Sequence, residues 1–221
     1  MSANRSGTGS GSAGARWRLL RAALLATAVT LGAMACSARP PRNIEDICDM
    51  FEERAGWYRA AKEAFARWGV PIHVQLAIIR QESGFRAKAR PPRTRILWIV
   101  PGLRPSSAHG YTQALKSTWK EYVRESGNRG ADRDNFADAT DFVGWYAARS
   151  AEATGIFKHD AFSLYLAYHE GDGGFRRGTY RRKPWLLNAA RQVAERARRY
   201  ERQLIACRER LERRRRRFWF F

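Results

Sequence analysis

The stretch PIHVQLAIIRQESGF, residues 71–85, is the segment from which the fold of this chain can be worked out. Pro71 suits the first turn of a helix, because its fixed φ matches helical backbone and its missing N–H would have no intrahelical partner there. Apolar residues then recur at helical spacing, at Ile72, Leu76 and Ile79. The pattern predicts a core helix that carries Glu82 to its C-terminal end, where Gly84 stops it.

Helical patterns also lie on both sides of this segment. Asn43 is positioned to cap a first helix, which Gly56 divides in two. Further helices are expected near residues 114–126, 136–154 and 160–170, and a long last helix is expected from about Pro184. No segment alternates polar and apolar residues with period 2, and no repeat is present. The sequence therefore predicts a mainly α single domain over residues 43–207.

Residues 86–107 interrupt the helical pattern and predict an irregular insertion. This segment contains four prolines and the apolar run Ile96–Val100, which has arginines on both sides. Three interpretations remain open: the run packs on the core, it forms a lid, or it enters a membrane interface. Packing or a lid is favoured, because most apolar runs in globular domains are buried.

Composition and charge exclude several classes of protein. The 221 residues include 41 Lys and Arg against 21 acidic residues, for a net charge of +20, and 44% are hydrophobic. This apolar content excludes a wholly disordered chain, and no apolar run is long enough to span a bilayer. The charge favours a polyanionic partner such as nucleic acid, anionic lipid or a cell-wall polymer. The four histidines are scattered and no phosphate-binding loop is present, so we expect no metal and no cofactor.

The N-terminus has the pattern of an export signal. Arginines precede the uncharged run AALLATAVTLGAMA of residues 22–35, which suits a signal peptide and is too short to cross a membrane. Cys36 follows directly, and the junction resembles a bacterial lipoprotein signal, although Ala33 stands where Leu is usual. We therefore predict a signal peptide over residues 1–35, lipid attachment at Cys36 and a tether over residues 36–42. Simple secretion is the alternative.

Export gives the two remaining cysteines a second interpretation. Cys48 and Cys207 would reach an oxidising compartment, where a disulfide between the first and last helices is plausible. They could equally be two small buried apolar residues. The sequence does not decide between these, because it does not give the distance between their Cα atoms.

Glu82 is the first candidate for chemistry. An apolar helix delivers it to the negative end of the helix dipole, and partial burial there would raise its pKa. A carboxyl group that stays protonated near neutral pH is suited to general acid catalysis. A Glu at a helix end is, however, more often a solvated residue or an ion-pair partner.

Three ordered motifs strengthen this assignment. They are Glu82-Ser83, Gly110-Tyr111-Thr112-Gln113 and Ala167-Tyr168-His169-Glu170-Gly171. In order and spacing they resemble the motifs of soluble-lytic-transglycosylase-like domains, which are related to goose lysozyme and cleave peptidoglycan. The resemblance covers about residues 70–175 and implies a lysozyme-like α fold.

The resemblance also implies the reaction. Glu82 would be the only catalytic carboxylate and would protonate the glycosidic oxygen between N-acetylmuramic acid and N-acetylglucosamine. The 2-acetamido group would attack the anomeric carbon, and Glu82 would then deprotonate the C6 hydroxyl to give a 1,6-anhydromuramoyl end. Such substrate assistance removes the need for a second carboxylate.

By resemblance, the substrate-binding residues are Ser83, Tyr111, Gln113, Tyr168 and His169. The chain departs from the family pattern at two positions within the motifs. His169 stands where Asn is usual, which could make its hydrogen bond depend on pH. Thr112 stands where Met is common, which would alter the apolar floor of the groove.

Two other functions remain open. A muramidase would hydrolyse the same bond with a second carboxylate, for which Glu170 and Asp172 are the candidates within the motifs. A catalytically inactive glycan-binding lipoprotein is the alternative from another class. A nucleic-acid partner is not expected, because the export signal would separate the protein from cytoplasmic nucleic acid. We expect a monomer in the periplasm, at the outer rather than the inner membrane.

The C-terminal residues 208–221, RERLERRRRRFWFF, predict a basic aromatic tail. Five consecutive arginines repel one another along a helix, so we expect the last helix to fray before residue 213. The tail is then either a solubilising extension or a membrane anchor, with arginines on anionic lipid and aromatic residues among the headgroups.

Overall fold

The prediction of a mainly α fold is confirmed. The computed structural model describes residues 39–92, 95–96, 100–101 and 106–217. In this part of the chain the α-helices are α1 (Ile47–Glu53), α2 (Ala55–Trp68), α3 (Ile72–Ser83), α4 (Lys116–Ser126), α5 (Phe136–Thr154), α6 (Ala161–Arg176) and α7 (Pro184–Arg217). A 3-10 turn, Thr179–Arg182, joins α6 to α7. The described residues from Pro40 onward form one compact unit.

Helix α3 lies at the centre of this unit and packs against α2, α5, α6 and α7. The residues expected on its core side, Ile72, Leu76 and Ile79, are all buried. Val74 and Ile78 are buried as well, so α3 is enclosed on most of its circumference. Burying a side chain of this size contributes about 1.5–3 kcal/mol, so α3 holds Glu82 in a rigid setting.

Several local predictions were wrong at the helix ends. Asp46, not Asn43, caps α1, because its side chain accepts hydrogen bonds from the first free backbone N–H groups of that helix. The break after α1 falls at Arg54 rather than at Gly56. The helix expected to end near residue 170 breaks at Gly171, where φ is 70° and ψ is 162°, and then continues to Arg176.

The insertion contains the only described strands. β1 (Arg95–Ile96) and β2 (Val100–Pro101) pair antiparallel. We expected no strand here, and elements of two residues are too short to produce a detectable alternation. The remainder of the apolar run lies outside the described residues, so its role stays a prediction.

Helix α7 runs to Arg217, beyond the expected end at Glu212. Leu211 is buried, and Glu212 accepts a hydrogen bond from the Tyr58 hydroxyl (2.7 Å) and pairs with Lys62. The expected fraying before residue 213 is therefore wrong. These contacts with α2 hold the helix through residue 212, and arginine is itself a good helix former. The segment assigned to the tail thus begins as part of the domain.

A disulfide joins Cys48 of α1 to Cys207 of α7 across 159 residues of sequence, with their Cα atoms 6.1 Å apart. Beside it, the Gln203 side chain accepts from the backbone N–H of Ile47 (3.1 Å) and donates to the carbonyl of Glu45 (3.2 Å). The first and last helices are therefore fastened together by a covalent bond and by hydrogen bonds.

The N-terminal predictions lie largely outside the described residues. The signal peptide and Cys36 are not described, and they stay predictions. At the end of the predicted tether, Pro41 is buried and the backbone N–H of Arg42 donates to Glu53 (2.9 Å), so these two residues pack on the domain. None of the helices in the described ranges has both the length and the apolar content that crossing a membrane requires.

Candidate active site

Glu82 occupies the last turn of α3, as the sequence predicted. Gly84 ends the helix in the left-handed region (φ 59°), and its N–H donates to the carbonyl of Arg80 (3.0 Å). This C-terminal cap turns the chain away directly after Glu82. Glu82 as a whole is half-buried, and its side chain faces a cleft instead of the open surface.

The cleft has a volume of about 610 Å³ and lies between α3, α6 and the loop that precedes α4. Residues from all three motifs line the cleft, and aromatic side chains of α5 form its apolar walls. The described residues that line it include Glu82, Gln113, Thr118, Phe142, Tyr146, Tyr168, His169, Glu170 and Gly171. The tertiary structure thus brings the three motifs to a single site.

Burial raises the pKa of Glu82 to about 7, while the neighbouring Tyr165 hydroxyl acts in the opposite direction. Removal from water disfavours the charged carboxylate, and a donor to the carboxylate favours it. The balance leaves Glu82 divided between its acid and base forms near neutral pH. This is the protonation behaviour that a group serving first as acid and then as base requires.

Tyr165 is a site residue that the sequence analysis missed. It is buried on α6, and burial together with the Glu82 carboxylate raises the pKa of its phenol, which therefore remains a donor. A signal for it was present, because Tyr165 and Tyr168 are three residues apart on a predicted helix and share a face.

Tyr168 ties α6 to the second motif. Its hydroxyl donates to the carbonyl of Thr112 (2.7 Å), and its ring packs edge-on against Tyr146, with centroids 4.9 Å apart. Burial and the nearby Glu82 raise the pKa of its phenol well above the usual value. Tyr168 therefore lines the cleft as expected while also holding two of its walls together.

Gln113 also lines the cleft, but its amide nitrogen donates to backbone carbonyls of the surrounding loops. Nε2 donates to the carbonyls of Ala89 (3.0 Å) and Gly110 (2.8 Å), and the residue itself has a positive φ of 50°. Gly110 has φ 78°, and a Cβ there would lie 2.2 Å from the carbonyl oxygen of Arg133. Only glycine fits this approach, so the glycine and the glutamine of this motif both shape the loop.

Two predicted substrate-binding residues are not on the cleft surface in the described structure. Tyr111 is buried in an aromatic cluster, edge-on to Phe136 at 5.6 Å and to Trp57 at 6.0 Å. Ser83 is buried, and its hydroxyl donates back to the carbonyl of Ile79 (3.2 Å). Both residues therefore pack behind the lining of the cleft and support it.

His169 lines the cleft and is held on one side. Its Nδ1 lies 3.1 Å from the Glu170 carboxylate, which can only accept, so this nitrogen carries the hydrogen of the bond. Its ring also packs edge-on against Trp185, with centroids 4.9 Å apart. The residue that departs from the family pattern therefore has a fixed ring at the edge of the cleft.

The two candidates for a second carboxylate both have structural partners. Glu170 accepts hydrogen bonds from Lys183 (2.7 Å) and from Thr179, and these lower its pKa to about 2. Asp172 accepts a hydrogen bond from Ser150 (2.6 Å). A carboxylate with so low a pKa is a weak base, so Glu170 is poorly suited to activating water. Within the described ranges, no three His, Cys, Asp or Glu side chains form a metal-binding group.

Comparison with known proteins points in the same direction. A family model described as the transglycosylase SLT domain matches residues 23–207, which include all three motifs and well over half of the chain. A search of curated proteins and a search of solved structures gave no significant match.

Proposed function

The chain belongs to the transglycosylase SLT domain family, and on that basis we propose that it is a peptidoglycan lytic transglycosylase with Glu82 as its acid and base. One observation carries the proposal: a half-buried glutamate with a pKa of about 7 faces the cleft that the three motifs line. The family itself points to transglycosylase-type activity on peptidoglycan. The residue assignment and the anhydro product are the proposed part.

In the first step, protonated Glu82 gives its proton to the glycosidic oxygen as the bond from that oxygen to C1 of N-acetylmuramic acid breaks. The carbonyl oxygen of the 2-acetamido group bonds to C1 from the other face. The N-acetylglucosamine end leaves with the proton, and Glu82 becomes a carboxylate. The Tyr165 hydroxyl, which lowers the pKa of Glu82, favours that carboxylate and supports this half of the cycle.

In the second step, the Glu82 carboxylate removes the proton of the C6 hydroxyl. O6 bonds to C1 while the bond from C1 to the acetamido oxygen breaks, and the acetamido group is restored. The product is a 1,6-anhydromuramoyl end, and Glu82 is protonated again. No water enters the reaction, so one carboxyl group suffices.

The partners of Glu170 and Asp172 favour this route over hydrolysis. A hydrolase needs a carboxylate placed to activate water, and in the described cleft the carboxylates are those of Glu82 and Glu170. Glu170 is already bound by Lys183 and Thr179. A muramidase is therefore the weaker proposal.

We further propose that the protein is exported and held at the periplasmic face of a membrane, by lipid on Cys36 and by the arginines near its C-terminus. The sequence of residues 16–36 and the net charge of +20 support this. In a cell fractionation, Cys36→Ser should move the protein from the membrane fraction to the soluble one. Unchanged fractionation would favour simple secretion.

Mass spectrometry of the fragments released from purified peptidoglycan tests the activity. The expected products are muropeptides with 1,6-anhydromuramoyl ends, which are lighter by one water than hydrolysis products. Reducing ends would show a muramidase, and retention of the glycan without release would show a binding protein. Either result would refute the proposed reaction.

A further inference from the structure

The edge of the cleft continues onto an exposed aromatic residue at the start of α7. Trp185 is 56% exposed, although tryptophan is a large apolar side chain that folding usually covers. Its ring lies 4.9 Å from that of His169, centroid to centroid, and His169 lines the cleft that holds Glu82. The indole is therefore one ring beyond the cleft and continuous with it.

The structure fixes the backbone that carries this indole. Pro184 begins α7, and the carbonyl of Lys183 accepts hydrogen bonds from the N–H groups of Leu186 (2.9 Å) and Leu187 (3.2 Å). The Lys183 ammonium binds Glu170 (2.7 Å), which anchors the turn before Trp185 to α6. A binding surface that is ordered before its ligand arrives loses less entropy on binding.

We propose that Trp185 forms an additional saccharide-binding position, one ring beyond the cleft, where a pyranose of the glycan strand stacks on the indole. This inference rests on the proposed function, which supplies the glycan. The negative face of an aromatic ring attracts the weakly positive C–H groups on one face of a sugar, and the indole N–H can donate to a hydroxyl. The flat side of an exposed indole therefore suits a pyranose.

The charge beside Trp185 fits the same ligand. Arg181 and Arg182 are exposed in the 3-10 turn that leads to it. Peptidoglycan carries carboxylates on the peptides attached to its muramic acid units, so cations beside a sugar-stacking residue complement the strand. An aromatic surface of this kind would bind long strands better than short ones.

Isothermal titration with N-acetylglucosamine oligomers tests the proposal. The chain carrying Glu82→Gln, which prevents turnover, would be compared with and without Trp185→Ala, using the trimer and the hexamer. We expect the dissociation constant of the hexamer to rise about fivefold to tenfold and that of the trimer to stay within twofold. Trp185→Tyr, which keeps an aromatic face, should restore most of the hexamer affinity.

Phe157→Ala is the matched control. Phe157 is 72% exposed and lies away from the cleft lining, so its removal should leave both affinities within twofold. A hexamer affinity unchanged by Trp185→Ala would overturn the inference, as would equal losses for the trimer and the hexamer. Loss of binding to vesicles of anionic lipid with hexamer binding intact would instead make Trp185 a membrane contact, which also overturns it.

The titration, read together with the mass spectrometry of released fragments, separates the two proposals. A chain that binds the hexamer through Trp185 but releases no anhydromuropeptides would refute the transglycosylase reaction and leave the saccharide position standing. If Trp185→Ala leaves both the release of anhydromuropeptides by the active chain and the binding of the hexamer unchanged, only the saccharide position is refuted.

Discussion

The Tyr165 hydroxyl on α6 lies beside the carboxyl group of Glu82 on α3, and this polar neighbour lowers the pKa of Glu82. The hydroxyl favours the charged form of Glu82, whereas burial, the larger effect, favours the neutral form and raises its pKa to about 7. The protonation state of the proposed catalytic residue therefore depends on a contact between two helices.

Tyr165→Phe should raise the pKa of Glu82 further, because it removes the donor and keeps the burial. The net contribution of an ordinary polar contact is about 0.5–1.5 kcal/mol, so we expect the fall of kcat at high pH to move upward by up to about one pH unit. The measurement is kcat against pH.

Tyr122→Phe is the control for this variant. Tyr122 is also buried, but its hydroxyl donates to Asp141 (2.8 Å), and neither residue lines the cleft. Its loss should lower stability and leave the pH profile of kcat in place. If Tyr165→Phe likewise leaves the profile where it was, Tyr165 does not position or tune Glu82.

Glu82→Gln should abolish most of the activity on peptidoglycan. Glutamine keeps the size of the side chain but cannot deliver or take up the proton, and general acid–base catalysis is worth about 10²–10⁴-fold. Release of muropeptides should fall by at least that factor, while binding of glycan oligomers is retained. Glu63→Gln, at an exposed position on α2, serves as control. Near-normal turnover by Glu82→Gln would rule out the mechanism.

The same substitution should stabilise the fold at high pH. The pKa of Glu82 rises from 4.5 to about 7 on folding, so the folded state binds the proton more tightly and loses stability as pH increases from about 4.5 to 7. Above pH 7 the accumulated loss is about 3 kcal/mol. Denaturant unfolding of wild type and Glu82→Gln at pH 4 and pH 9 should show the larger gain from glutamine at pH 9. A gain that does not change with pH would contradict the raised pKa.

The disulfide should contribute strongly to stability because it joins two residues that are 159 positions apart in sequence and so closes a long loop. Replacing Cys48 and Cys207 together by Ser should lower the free energy of unfolding by about 2–5 kcal/mol. Wild type measured with a reducing agent should fall to a similar value. The reductant should have no further effect on the double variant, and a wild type insensitive to it would show that the bond does not form.

Truncation after Glu212 should weaken membrane binding without unfolding the domain. It removes the five arginines 213–217 and the four aromatic residues after them, and it keeps the contact of Glu212 with Tyr58. Each arginine near an anionic surface contributes about 1 kcal/mol, so cosedimentation with anionic vesicles should drop, most clearly at low salt. Activity on soluble glycan should persist. Equal vesicle binding by both chains at low and high salt would remove the anchoring role.

Much of the fold follows from local rules that act within a few residues. The apolar spacing of residues 71–85 and the Gly84 stop placed Glu82 at the end of a buried helix, and the structure agrees. Helix ends were predicted less well, since Asn43 and Asp46 both have capping side chains and only the course of the preceding chain selects one. The end of α7 was placed too early, because Glu212 is held by Tyr58 and Lys62 of α2, which are distant in sequence.

The sequence by itself determined the helical class, the position of Glu82 on its helix and the order of the three motifs, because periodicity, capping and turn residues act over short distances. Only the tertiary structure decided the partners: Tyr165 for Glu82, Lys183 for Glu170 and Cys207 for Cys48. It also placed Tyr111 in the core and left Trp185 exposed beside the cleft. Burial, pKa and stacking depend on which surfaces face one another after folding, and neighbours in sequence carry little information about that.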